Sequence, residues 1–155
     1  RQKCPPARFV QADLTKADID LGTFDVISSF RFFGNAQDEL RAAVIGRLYQ
    51  LLRPDGYLIV NSHRNPHSLA AIVKRFSGID HGFDLHYFKL RRLLRDHGFE
   101  IVSKHPIGAW MFRSKLMKAD PSSAQTKRLE RVFGHPAFSV IAPDTIVVAR
   151  KMRPV

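Results

Sequence analysis

Asn61 closes the apolar run YLIVN (57–61), and His63 and His67 follow within six positions. Imidazole titrates near neutrality, so a histidine at a strand end is suited to take a proton from a hydroxyl or amine nucleophile. A histidine in a surface loop needs no such role, and both readings stand for His63. A metal pair is disfavoured, because Asn65 and Pro66 interrupt the helix that ligands four residues apart would need. A second concentration, Ser28, Ser29, Phe30 and Arg31, closes the β-branched run FDVIS. Arg31 stands among Phe30, Phe32 and Phe33 and must leave the core or find an anion, which a substrate carboxylate or phosphate would supply. For each phenylalanine, core packing is the simpler role. His63 and Arg31 are therefore the catalytic candidates, with Asn61 and His67 as substrate-binding ones. A third group, Trp110, Phe112, Arg113, Lys115 and Lys118, sets aromatic faces beside cations, as recognition of a sugar, head group or base requires. Trp110, Arg113 and Lys115 join the substrate-binding candidates. His81, His86, His97, His105 and His135 have no partner spacing that suggests a role.

These groups need strands and helices to hold them. RFVQA (8–12) has strand character and ends at Asp13; FDVISSF (24–30) is a second strand, broken by Gly34 and Asn35. Asn35 is placed to cap a helix over 37–52, with Asp38 three residues on and Leu40, Val44, Leu48 and Leu51 as its apolar stripe. Pro54, Asp55 and Gly56 stop it and lead into YLIVN, whose unbroken apolar run suits a parallel sheet covered on both faces. Further helices are expected over 66–76 and 90–97, the latter ended by Gly98, then a strand FEIVS, a less regular stretch with a helix at 123–133, and a last strand TIVVAR (145–150). Open α/β sheets bind ligands at the carboxyl ends of their strands, where Ser28 to Arg31 and Asn61 to His67 fall.

Composition narrows the classes. Lys and Arg number 25 against 14 Asp and Glu. Residues 1–60 hold 8 basic and 7 acidic residues and residues 61–155 hold 17 and 7, so the basic excess sits in the second part. It favours an acidic partner without naming one. Cys4 is the only cysteine, which excludes an internal disulfide and cysteine-paired zinc or redox sites. No apolar run approaches the ~18 residues of a membrane helix, and the start RQKCPPARF lacks the core of a signal peptide. A soluble, cytoplasmic chain is expected. There is no GxSxG, GxxxxGK[ST], HExxH or RNA-binding fingerprint.

The succession RFVQADL, FDVISSFRFFGN, LYQLLRPDGYLIVNSH and LRRLLRDHGFEIV, with TIVVARK later, resembles the later two-thirds of a class I S-adenosylmethionine-dependent methyltransferase. LLRPDGYLIV is its most specific piece. The resemblance implies an α/β, Rossmann-like three-layer methyltransferase sandwich with a mostly parallel sheet, in family order 3-2-1-4-5-7-6. Residues 1–155 would be the C-terminal part of that single domain, lacking its first two strands. It implies S-adenosylmethionine as cofactor. Asp13 would accept from the adenine amino group beside the Leu14 N–H, and Ser28, Ser29 and Phe30 would line the methyl-transfer site; an Asp also commonly caps a loop. The chain departs from the family in having no GxG, the turn that holds the cofactor's methionine end. The opening at Arg1 and the early strand suggest a piece of a longer enzyme, and a non-catalytic methyltransferase-like binding module is the competing reading. The acceptor expected is a small, anionic molecule, glycan or lipid head group, with nucleic acid next. Strand 24–30, deprived of its neighbour, is expected to support a homodimer.

Overall fold

The structure, a computed structural model, describes residues 7–16, 20–63, 65–68, 71–72, 85–108 and 123–153. Among the described residues the sheet has four strands, β1 (Phe24–Ser29), β2 (Leu52–Asn61), β3 (Phe99–Ile107) and β4 (Asp144–Lys151), in the order β1-β2-β4-β3. β1 and β2 are parallel, and β4 is antiparallel to both β2 and β3. Three strands therefore share one direction and β4 alone is reversed, which gives the mostly parallel sheet expected. Helix α1 (Asp38–Leu51) joins β1 to β2, α2 (Tyr87–Asp96) leads into β3, and α3 (Ala124–Phe133) with a 3-10 turn at Pro136–Val140 precedes β4. A helix between parallel strands runs back against them, so the first turns of α1 and α2 lie at the carboxyl edge of the sheet.

Register decides which residues face the helices. Ile27, Leu58, Ala149 and Ile101 are successive partners across the sheet, as are Ser29, Val60, Val147 and Lys104. The apolar members of these rows pack with Val44, Ile45 and Leu48 of α1, Leu90 and Leu94 of α2, Phe33 and Phe99. Fully burying a Leu or Phe is worth about 1.5–3 kcal/mol, so this core is the main stabilising term among the described residues. On the other face Val26 and its partner Tyr57 stay exposed, at 53% and 39%.

Sequence patterning misplaces several details. Residues 8–12 form no strand, and Phe9 and Val10 are exposed. In the family order two strands separate that segment from β1, and none among the described residues offers it a ladder. Asn35 does not cap α1: its side-chain amide donates to the Arg31 carbonyl at 2.6 Å, and Gln37 takes the cap position without a side-chain hydrogen bond. Leu40 is exposed and Ile45 takes its place in the core. The helix stops before Pro54 as expected, but residues 53–56 already belong to the strand. They bulge opposite Asp25 alone between the pairs Phe24↔Leu52 and Val26↔Tyr57, with Asp55 left-handed at φ 64°. Of the helix expected over 66–76, Ala71 and Ile72 are helical, Pro66 and His67 form a turn, Ser68 is a buried bend, and 69–70 and 73–76 lie outside the described residues.

The ends of the helices are better anticipated. Lys151 donates to the Tyr49 and Leu52 carbonyls, both at 2.8 Å, which sets a cation where the α1 dipole is negative. Gly98 ends α2 with φ 80°, and a Cβ there would lie 3.0 Å from the Tyr49 ring, so only glycine fits both the conformation and the space.

Candidate functional site

β1 and β2 end, and β4 begins, at one edge of the sheet, and the Asn61 side chain joins all three. Asn61 is 97% buried, being 3% exposed. Its Oδ1 accepts the Arg31 N–H at 2.7 Å, and its Nδ2 donates to both Asp144 carboxylate oxygens at 3.0 Å. The Asp144 Oδ2 in turn lies 3.5 Å from the His63 Nδ1. That is an orienting ion-pair distance rather than a short hydrogen bond. A carboxylate facing Nδ1 favours the proton there and leaves Nε2 to accept one. His63 is largely buried, and Asp144 is about a quarter exposed.

The turn above β1 is held tightly. Arg31 has φ 63°, a left-handed conformation that costs an L-residue about 1–2 kcal/mol. The 3-10 turn Phe33–Asn35 follows, with Phe33 buried and Gly34 packed on the backbone of His63. A Cβ on Gly34 would lie 2.6 Å from the His63 carbonyl oxygen, so a side chain there would push the two loops apart. The Phe33 carbonyl accepts from the Arg41 Nε at 2.7 Å, and Arg41 Nη1 reaches Asp38 Oδ1 at 2.6 Å. Asp38 also accepts from the Lys89 ammonium at 2.7 Å, which ties the first turns of α1 and α2. The Lys89 hydrogen bond, then that from Arg41, lowers the Asp38 carboxyl below the ordinary carboxylate range.

The loop after β2 is fixed on its other side by Asn65, fully buried, which donates to the Val140 and Ala142 carbonyls at 2.6 and 2.8 Å and accepts the His67 N–H. His67 is thereby stacked on His86, with ring centroids 5.0 Å apart and planes 11° apart. The His86 Nδ1 caps α2 by accepting the Lys89 N–H at 3.1 Å. Burial, and next the neighbouring His67, hold His86 below the ordinary histidine range.

Arg31, Asn61 and His63 are thus neighbours at this edge, Arg31 through its backbone. Its side chain is exposed and pairs with no carboxylate among the described residues. Ser28 is exposed, Ser29 half-buried and Phe30 half-exposed along the end of β1, while Phe33 alone of the three phenylalanines is fully in the core. Asp13 spends Oδ1 on an internal turn, accepting the Thr15 hydroxyl at 2.7 Å and the Thr15 N–H at 3.0 Å. The hydroxyl bond chiefly lowers its pKa. Leu14 packs against the core. Trp110, Phe112, Arg113, Lys115 and Lys118 lie outside the described residues. No group of metal-ligating side chains occurs among the described residues, and no helix among them is long and apolar enough to cross a membrane. Asp144 and His86 carry no signal near the residues they meet; the turn Ala142-Pro143 opening the last strand is the only hint that Asp144 sits at a strand start.

The profile of a family described as methyltransferase domain matches residues 3–104. Among curated proteins none matches the chain in sequence. A solved S-adenosylmethionine-dependent methyltransferase from Methanosarcina mazei is similar in fold, at 15% identity and a TM-score of 0.55, over 92% of this chain and 66% of that one. A second from Archaeoglobus fulgidus has 18% identity and a TM-score of 0.53, over 83% of this chain and 60% of its own. Magnesium protoporphyrin IX methyltransferase from Synechocystis, solved with bound S-adenosylhomocysteine, has 16% identity and a TM-score of 0.51, over 92% and 50%. The chain thus spans between half and two thirds of the length of these structures.

Asn61→Ala tests the junction. It removes the acceptor of the part-buried Arg31 N–H and the amide donor to the Asp144 carboxylate, and a lost hydrogen bond of this kind costs about 1–3 kcal/mol. Urea unfolding is expected to show that loss together with faster exchange of the Arg31 amide. Wild-type stability with an unchanged Arg31 amide would mean that Asn61 does not hold the turn.

Proposed function

The chain belongs to the class I S-adenosylmethionine-dependent methyltransferase family, and from that premise we propose that it serves methyl transfer from S-adenosylmethionine to a nucleophile on a small, anionic acceptor. The observation that carries the reading is His63 held against Asp144 beside the Arg31 turn, at the edge of the sheet where α/β folds bind ligands. The acceptor class rests on charge: the basic excess of residues 61–155 suits a phosphorylated or carboxylated small molecule, a glycan or a lipid head group ahead of nucleic acid. Action in the cytoplasm is part of the same reading.

The residues present fit one end of the cofactor. Asp13 is exposed, and its Oδ2 takes no hydrogen bond among the described residues. With the Leu14 N–H after it, it offers an acceptor beside a donor, which the adenine edge requires. In this reading Ser28, Ser29 and Phe30 would line the methyl-transfer site between the adenine end and Arg31. The methionine end has no glycine-rich turn in this chain, so weak binding is expected of residues 1–155. When bound, the cofactor supplies an electrophilic methyl group. The chain's own part is to align and to move a proton: His63 Nε2 takes the proton that the acceptor's hydroxyl or amine loses, Asp144 stabilises the resulting imidazolium, and the Arg31 guanidinium meets the acceptor's negative group.

Two substitutions separate the parts. Asp13→Ala should weaken S-adenosylhomocysteine, measured by calorimetry, by about 1–2 kcal/mol. His63→Gln should leave that affinity unchanged and lower the turnover of a methyl-transferring form about 10²- to 10⁴-fold, the usual span for a lost general base. Unaltered turnover would remove His63 from the chemistry, and no binding at any concentration would favour the non-catalytic module.

The homodimer belongs to the same proposal. Among the described residues β1 is an edge strand, and Phe24 and Val26 on it are exposed. Such edges pair readily unless charged or covered. Val26→Lys is expected to shift light scattering from a dimer to a monomer; a monodisperse wild-type monomer would argue against association through residues 24–30.

A further inference from the structure

The first turns of α1 and α2 meet at the carboxyl edge of the sheet, where Asp38 alone pairs with two cations, Arg41 and Lys89, among the described residues. Arg41 is buried, at 3% exposure, and its Nη2 makes no hydrogen bond among the described residues. A guanidinium N–H left without a partner in the interior is costly, and most buried polar atoms in folded proteins are satisfied. The same guanidinium points Nη1 at Asp38, which is 58% exposed and also holds the Lys89 ammonium. Thus one end of the junction opens to solvent at Asp38 and Lys89, and the other ends on Arg41. The α1 cap residue Gln37 makes no side-chain hydrogen bond to the first N–H groups of its helix, whereas on α2 the His86 ring takes the Lys89 N–H. The stacked pair of His86, the α2 cap, and His67 stands on the α2 side.

We infer that this junction is an oxyanion site, in which the Asp38 carboxylate occupies the place of an external phosphate- or carboxylate-type group between Arg41 and Lys89. An oxyanion entering from the solvent side shares Lys89 with Asp38 or displaces it, and offers Arg41 the acceptor that Nη2 lacks. Guanidinium and ammonium groups bind such anions by charge-assisted hydrogen bonds, stronger than neutral ones. Which molecule carries the oxyanion rests on the proposed methyl transfer, where it would be the acceptor; the binding itself does not.

The test is a titration of the isotope-labelled chain with inorganic phosphate, followed by NMR at the amides of 37–39 and 86–89. Saturable shifts in both sets are expected. Lys89→Met should weaken the apparent affinity about tenfold. Asp38→Asn removes the competing charge and should tighten it. Arg92→Gln, on the exposed side of α2, should change nothing. Non-saturating shifts, equal weakening by Arg92→Gln, or weakening by Asp38→Asn would overturn the site. Saturable binding in a chain that fails to bind S-adenosylhomocysteine would sustain the site and sink the methyl-transfer reading; the converse result would do the opposite.

Discussion

The left-handed peptide at Arg31 is the constraint on which the site depends. A non-glycine residue at φ 63° is disfavoured by about 1–2 kcal/mol, and a single net hydrogen bond of about 1 kcal/mol does not offset that. Three contacts act together: Asn61 takes the Arg31 N–H, Asn35 donates to its carbonyl, and Phe33 two residues on is fully buried. Strain persists in folded proteins where the surroundings over-determine it, and such places concentrate at functional sites.

Asn61 matters because an amide can donate and accept at once. An aspartate at this position would face Asp144 with a second negative charge, and a leucine would leave the Arg31 N–H without its acceptor and Asp144 with the His63 contact alone. Through Asn61 the end of β1, the end of β2 and the start of β4 become one rigid unit, with His63 two residues beyond it. The Gly34 turn closes on the backbone of His63 from the other side. The imidazole is therefore placed by packing and backbone as well as by its carboxylate.

The order of elements was plain in the sequence because apolar runs, helix stops and the order of motifs are local signals. YLIVN, FEIVS and TIVVAR became strands, and Gly98 ended α2 as expected. What failed were features set by distant partners. RFVQA has strand character but no ladder to join, and Leu40 lost its core place to Ile45 because the roll of a helix on its sheet is fixed by packing. Asn61 and His63 could be singled out by position alone. Their partner Asp144 stands more than eighty residues away and joins them only because β4 inserts antiparallel beside β2. Arg31 was noticed for its side chain, whereas its backbone conformation is what the fold uses.

The central claim is that the edge around Asn61 is where the cofactor and the acceptor meet. The direct measurement is an amide-shift map of the labelled chain with S-adenosylhomocysteine at concentrations high enough to load a weak site. The account expects changes at Leu14, at Ser29 to Arg31 and at Asn61 to His63, with α3 unaffected. Changes confined to α3 and β3, or none at any concentration, would contradict it.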